Sequence, residues 1–295
     1  MRKTVAIVGL VSALLVGIPK ASLAGTILEK VAKTGVLTAG ARKDTVPFGY
    51  VNEKEQWVGY SIDLLERIRA KLEKDLKRPV RLQLVEVSSS DRIQMVQDRK
   101  VDIECGSTTF TWNRQKYVDF SVPFFFTGTQ FLVKGNSSIK LVSDLTGKKV
   151  GVIEGTSNQG DVDDLKPAVQ VVLLKNRADG VKQLQEGKID AFASDGILLL
   201  GLKNSTLKDS NFSIVPDQPV LNGAYACMVP KDESDWRSLV NYSIFSLIEG
   251  IVDGDPKAIG QYERWFGKNG VVPYPLELNS DYFQSIVSSF ERIPN

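Results

Sequence analysis

Hydroxyl and charged side chains follow a short apolar stretch near residue 105. Ser107 and Thr109 are two residues apart, and Arg114 comes five residues after Thr109. In extended backbone, residues two apart point to the same side. Arginine can donate two parallel charge-assisted hydrogen bonds to a carboxylate. The pattern is therefore typical of a carboxylate-binding site.

A second stretch carries complementary groups. Gly155, Thr156 and Ser157 follow the predicted strand 150–153, and backbone N–H groups of such glycine loops at helix starts bind carboxylates readily. Asp195 supplies a negative charge that could hold an ammonium group. Together the two stretches suit a zwitterion, although Ser, Thr and Gly are also ordinary turn residues.

Two further polar residues precede the first stretch. Arg92 lies in the first turn of a predicted helix, where the helix dipole disfavours a cation. This position indicates a nearby anion, and a surface ion pair with Asp91 or Asp98 is the alternative. Ser89 either caps the same helix or faces the same site.

The sequence contains no histidine. Its absence removes the usual general base at neutral pH and the commonest metal ligand. Nucleophile systems of the Ser-His-Asp and Cys-His types are thereby excluded. Carboxylate or lysine chemistry stays open, and we expect no metal and no cofactor.

The elements that must position these residues alternate between helix and strand. The spacing of apolar residues predicts helices over 27–33 and 62–76, and strands over 36–39 and 80–87. This alternation predicts an α/β fold with a largely parallel sheet.

An internal repeat indicates two units of related build. Residues 91–103 return, shifted by 88 positions, as residues 179–191, with a helix, a tight turn and a buried strand in each copy. Ligands bind outside the carboxyl ends of parallel strands, so two such units facing each other define a cleft that hinge motion can close. The alternative is that helix–turn–strand units simply look alike.

The first residues predict export. Arg2 and Lys3 precede an apolar stretch over 5–18, and small residues end at Ala24, so we expect a signal peptide over 1–24 with cleavage after Ala24. Removal of its three basic residues lowers the formal net charge from +2 to −1. A nearly neutral chain lacks the basic excess that nucleic-acid binding requires.

The two cysteines, Cys105 and Cys227, fit that compartment. In an oxidising environment one disulfide is the simplest prediction. Two buried free thiols are the alternative.

Several segments together resemble the family 3 extracellular solute-binding proteins, which serve ABC transporters for polar amino acids. The branch most similar is that of glutamate/aspartate-binding proteins, and the resemblance covers about residues 25–275. The segments that carry it are 40–50, 58–63, Glu104-Cys105-Gly106-Ser107-Thr108-Thr109, 113–116, 119–124, Tyr225-Ala226-Cys227-Met228 and Trp265-Phe266.

The resemblance implies a two-lobed periplasmic-binding-protein type II fold. Each lobe would be a central, mostly parallel sheet flanked by helices, joined by a two-strand hinge near 129–133 and 224–229. The first lobe would cover 25–131, the second 132–225, and residues 226–295 would return to the first lobe and form a C-terminal tail. Both cysteines would lie near the hinge, which favours the disulfide.

The resemblance also assigns roles at the two ends of an amino acid. Arg114, with Thr109 and Thr156, would hold the ligand's α-carboxylate. Asp195 and Ser107 would hold its α-ammonium group.

The side-chain end of the ligand is assigned in the same way. Arg42, Ser89 and Arg92 match positions that surround the side-chain carboxylate in the acidic-ligand branch. Arg177 stands near a position where that branch carries histidine, so it either replaces that cation or points outward. Phe48 and Tyr50 are predicted to line the cleft, with core packing as the alternative for both.

The function implied is that of a periplasmic, monomeric binding component. It would deliver a small-molecule amino acid, glutamate or aspartate, to the membrane permease of an ABC transporter. Broader polar amino-acid binding is the alternative. Two further alternatives are an enzyme, a dehydratase that uses Glu154 as acid or base, and a ligand sensor detached from a receptor.

Overall fold

The computed structural model describes residues 25–208 and 211–293. The predicted signal peptide and its cleavage site lie outside the described residues. Within those ranges, no helix combines the length and the apolar character needed to cross a membrane.

Helices and strands alternate along the described chain. The helices are α1 Ile27–Thr34, α2 Tyr60–Leu76, α3 Arg92–Gln97, α4 Trp112–Gln115, α5 Ser157–Asp163, α6 Arg177–Gln185, α7 Gly196–Ser205, α8 Ser234–Val252, α9 Pro256–Phe266 and α10 Glu277–Ser288, with a 3₁₀ turn at Val142–Leu145. The strands are β1 Val36–Ala41, β2 Asp44–Thr45, β3 Gly49–Val51, β4 Trp57–Val58, β5 Arg81–Glu86, β6 Ile103–Glu104, β7 Asp119–Lys134, β8 Lys149–Ile153, β9 Gln170–Leu174, β10 Ala191–Asp195, β11 Phe212–Val215 and β12 Asn222–Val229. The four elements predicted over 27–87 are confirmed, with ends shifted by at most two residues.

Local sequence explains where these first elements begin and end. Thr26 and Glu29 form a capping box at the start of α1, and Gly35 ends that helix in the left-handed conformation with φ of 69°. Gly59 precedes α2 with φ of 141°, and a Cβ there would lie 1.9 Å from the Phe48 carbonyl oxygen. Only glycine allows this approach, which fixes the turn between β2 and β3 against the start of α2.

The strands form two lobes that share the long strand β7. In the first lobe the order is β5-β1-β6-β12-β7, and in the second it is β7-β10-β8-β9, with β11 on the other side of β7. Neighbours β5, β1 and β6 are parallel, as are β10, β8 and β9. The predicted two-lobed α/β fold with mostly parallel sheets is confirmed.

Strand β7 changes partners between the lobes. Its residues 119–128 pair with β12, whereas residues 129–134 pair with β10 and β11. The predicted lobe boundaries at 131/132 and 225/226 stay predictions.

The internal repeat has the predicted form in both copies. Helix α3 leads through Arg99, with φ of 55°, to β6, and helix α6 leads through Gly187, with φ of 72°, to β10. Both strands end where the lobes face each other, so the polar residues that follow them meet at one place.

The predicted disulfide is present. Cys105, just after β6, is bonded to Cys227 on β12. It ties two segments of the first lobe together beside the shared strand.

Candidate functional site

A small cavity lies between the lobes. The empty space between its lining atoms is about 240 Å³, part of which opens to solvent. Its lining residues are Arg42, Ser89, Arg92 and Ser107 of the first lobe and Thr156, Ser157, Asn158, Arg177 and Asp195 of the second. The site therefore suits a small polar ligand that contacts both lobes.

Strand ends and helix starts position these side chains. Arg42 follows β1, Ser107 follows β6 and Asp195 ends β10. Thr156 directly precedes α5, and Arg177 is the first residue of α6. The cavity thus has the location expected for ligands of open parallel sheets.

Direct hydrogen bonds join the lobes around the cavity. Arg114 Nη2 donates to the Gly155 carbonyl oxygen at 3.0 Å, and the Ser157 hydroxyl donates to Thr109 Oγ1 at 3.1 Å. Arg114 Nη1 also donates to the Thr109 carbonyl oxygen at 2.7 Å. Arg114 and Thr109 therefore lie beside the cavity, at the seam between the lobes, and are not among its lining residues.

Buried arginines dominate the cavity. Arg42 Nη1 donates to Ser89 Oγ at 2.7 Å, and Arg92 Nη1 donates to Thr108 Oγ1 at 2.7 Å. The Nε atoms of Arg92 and Arg177 are buried without a hydrogen-bond partner among the described residues. Because an unpaired buried donor is costly, these atoms favour an incoming acceptor.

The arginines stay charged despite their burial. Burial lowers the pKa of Arg42 and of Arg92 to about 10, and neighbouring arginines add to the effect. Burial also lowers the pKa of Arg114. A pKa near 10 leaves each guanidinium protonated at neutral pH, so the cavity attracts an anion.

A fixed carboxylate lies on the second-lobe side of the cavity. Asp195 Oδ1 accepts a hydrogen bond from Asn158 Nδ2 at 3.0 Å, and Oδ2 accepts one from the Tyr225 hydroxyl at 2.6 Å. Burial, and after it the charge of Asp195, raises the pKa of Tyr225 well above its ordinary value, so this phenol stays a neutral donor. A carboxylate has about four acceptor positions, which leaves Asp195 able to accept from a ligand cation.

The structure selects between the alternatives left open for three residues. Ser89 lines the cavity. Two other hydrogen bonds close the turn before α3: the Ser88 backbone N–H donates to Asp91 Oδ1, and the Asp91 backbone N–H donates to Ser88 Oγ. Arg92 is 2% exposed and points inward, away from a surface ion pair. Arg177 lines the cavity and does not point outward.

The two aromatic residues predicted to line the cleft are not part of the lining of the small cavity. Phe48 is fully buried, with its ring edge-on to Phe125 and Tyr225, so it occupies the core of the first lobe. Tyr50 is half-buried against Trp265 and lines an open groove at the cleft mouth. Aromatic side chains suit a cleft wall and a hydrophobic core equally, and the packing of these two residues places both outside the cavity lining.

Sequence reasoning missed three residues of the site. Asn158 lines the cavity, Tyr225 orients Asp195, and Asp44 bonds two of the arginines. Asp44 carried a usable signal, since it follows Arg42 by two residues in an extended segment. The others show no signal in the local sequence.

Comparisons with known proteins agree with this geometry. Residues 37–268 match the family of bacterial extracellular solute-binding proteins, family 3. The chain is 32% identical over 283 residues to the glutamate/aspartate import solute-binding protein of Escherichia coli strain K12, covering 93% of this chain and 90% of that protein. It is 34% identical over 278 residues to the L-glutamate/L-aspartate-binding protein of Pseudomonas aeruginosa, covering 90% and 89%.

A solved structure with the same fold is an ancestral arginine-binding protein bound to glutamine. Its TM-score with this chain is 0.71 at 29% identity, covering 79% of this chain and 99% of that one.

Proposed function

Because this chain belongs to family 3 of the bacterial extracellular solute-binding proteins, we propose that it captures an acidic amino acid in the periplasm for an ABC transporter. The relatives named for glutamate and aspartate binding support this ligand class. The membrane permease of that transporter is the expected partner.

The charge balance of the cavity carries the acidic assignment. The charged residues of its lining are Arg42, Arg92 and Arg177, against Asp195. Positive charge is therefore in excess. A neutral zwitterion adds no net charge to this buried site, whereas a dicarboxylic amino acid adds one negative charge that offsets part of the excess.

The roles at the amino-acid end follow from the same geometry. We assign the α-carboxylate to Arg114 with Thr109 and Thr156, which lie at the seam between the lobes. The α-ammonium group is assigned to Asp195 and Ser107, which face the cavity from opposite lobes.

The side-chain carboxylate is assigned to the first-lobe arginines. Arg42, Ser89 and Arg92 surround it, and Arg177 adds a cation from the second lobe. A ligand held in this way contacts both lobes and so favours the closed state over the open one.

Closure would occur by bending where β7 and β12 connect the lobes. The first lobe covers 25–131, the second 132–225, and residues 226–295 return to the first lobe. The protein acts as a monomer after removal of residues 1–24.

No chemical step is assigned to this chain. Glu154, the residue considered as an acid or base, is exposed and lies outside the cavity lining. The arginines and Asp195, the charged residues of the cavity lining, each have a binding role in this proposal.

Isothermal calorimetry tests the proposal. The mature chain, refolded free of bound ligand, is titrated with glutamate, aspartate, glutamine, asparagine and arginine. Tight binding confined to glutamate and aspartate is the expected result. Equally tight binding of the amides would favour the broader polar specificity, and failure of every ligand to bind would refute the proposal.

A further inference from the structure

One carboxylate joins arginines from opposite lobes. Asp44 Oδ1 lies 2.8 Å from Arg42 Nη2, and Asp44 Oδ2 lies 3.2 Å from Arg177 Nη1. Asp44 belongs to β2 of the first lobe, while Arg177 begins α6 of the second. The ion pair with Arg177 therefore crosses the cleft.

The two arginines stand between this carboxylate and the cavity. Both side chains are 6% exposed and line the cavity, whereas Asp44 is 34% exposed and lines the groove at the cleft mouth. Each guanidinium thus has Asp44 on its outer side and the ligand space on its inner side.

Asp44 is ionised under all ordinary conditions. Burial acts to raise the pKa of this carboxyl, but the Arg177 and Arg42 guanidiniums outweigh burial and hold the pKa below its usual value. The site therefore carries a permanent internal anion next to the two cations.

We propose that Asp44 is a specificity-determining residue that sets the charge of the ligand side chain, an inference that rests on the function proposed above. Arg42, Arg92 and Arg177 contribute three positive charges at the side-chain end of the cavity, and Asp44 and Glu104 remove two. The remaining single charge matches one ligand carboxylate. Without Asp44 the same end would carry two positive charges.

The consequence is a change in discrimination between an anionic and a neutral side chain. Glutamate and glutamine have nearly the same shape, so loss of the Arg177 tether affects both ligands. The added positive charge attracts glutamate alone. The ratio of the two affinities therefore isolates the electrostatic role of Asp44 from any role in lobe closure.

The test is displacement of labelled glutamate by glutamate and by glutamine, from the wild-type mature chain and from Asp44→Asn. We expect the substitution to shift the ratio of the two affinities about tenfold toward glutamate. It removes one negative charge close to the ligand's side-chain carboxylate, which glutamine lacks. Arg177→Gln should shift the ratio toward glutamine, and the double variant Asp44→Asn/Arg177→Gln should restore a ratio near the wild-type one.

Glu53→Gln is the matched control. Glu53 lines the same groove and is exposed, and within the described ranges it forms no ion pair. Its substitution removes one negative charge nearby and should leave the ratio within about twofold.

Two outcomes overturn the inference. If wild-type protein binds glutamate but Asp44→Asn leaves the ratio unchanged or moves it toward glutamine, Asp44 does not set ligand charge, and the proposed function stands. If the wild-type chain binds no amino acid, the proposed function and this inference fail together.

Discussion

The Tyr225 hydroxyl donates a 2.6 Å hydrogen bond to Asp195 Oδ2. Tyr225 lies on β12 opposite Phe125 of β7, and Asp195 ends β10 of the second lobe. Asn158 donates to the other oxygen of the same carboxylate at 3.0 Å. Asp195 is therefore held by two hydrogen bonds, and its contact with a ligand depends on how Tyr225 and Asn158 orient it.

Removal of this hydroxyl should weaken ligand binding. Tyr225→Phe keeps the buried ring and deletes one hydrogen bond to a charged group, worth about 1.5–3 kcal/mol, so we expect the Kd for glutamate to rise by at least about tenfold. Calorimetry measures the change. Tyr242→Phe, at a tyrosine that is 44% exposed, is the control, and an unchanged Kd in Tyr225→Phe would show that Asn158 alone orients Asp195.

Arg114 should be indispensable for every amino-acid ligand. Arg114→Ala removes the assigned α-carboxylate partner and also the bond to the Gly155 carbonyl oxygen across the lobes, so we expect at least about a hundredfold loss for glutamate and aspartate alike. Arg114→Lys should also bind poorly, because an ammonium group cannot reproduce the bidentate geometry.

Thermal unfolding of the same variants separates a binding defect from a folding defect. Arg81→Ala, at an exposed arginine of β5, is the matched control and should bind normally. Retained affinity in Arg114→Ala would remove Arg114 from the site.

Ligand affinity should be nearly independent of pH from about 5.5 to 8.5. The chain has no histidine, the pKa values of Arg42 and Arg92 are about 10, and the pKa of Asp44 is held below 3.8. A carboxylate whose pKa is lower in the folded state than in the unfolded state stabilises the fold at pH values above its unfolded-state pKa. This stabilisation is lost only as the pH falls through the folded-state pKa.

The first loss of affinity on acidification should therefore come from the ligand. The side-chain carboxyl of glutamate has an ordinary pKa near ~4.3, above that of Asp44. Calorimetry at pH 5.5, 7.0 and 8.5 should give Kd values within about threefold of one another, and a steeper dependence would show that a further group of the protein titrates in this range.

The disulfide should matter more for stability than for binding. The paired variant Cys105→Ser/Cys227→Ser opens a bridge that spans 122 residues, so we expect the free energy of unfolding to fall by about 2–5 kcal/mol. Neither cysteine lines the cavity, so the Kd for glutamate should change by less than about threefold. Urea unfolding with and without reductant checks the first expectation, and calorimetry checks the second.

Local patterns predicted most of the fold. Helices α1 and α2 and strands β1 and β5 were recovered because apolar spacing is a local property of the sequence. The repeat predicted where the two facing strands end, and hence where polar residues meet.

The missing parts of the site depend on contacts that no local pattern encodes. Asp44 and Arg177 are 133 residues apart, and Tyr225 reaches Asp195 only because β7 brings β12 and β10 to neighbouring positions. The adjacent serines Ser88 and Ser89 have different roles, and only the direction of the backbone after β5 decides which of them faces the cavity.

The bond between Cys105 and Cys227 also decides what happens when the backbone is broken. Strands β8 to β11 and helices α5 to α7 all lie between the two cysteines. A protease that cuts a single peptide bond in this stretch would therefore yield two pieces that remain one covalent molecule until a reductant separates them. A nick in an exposed loop of the second lobe would not by itself release either piece.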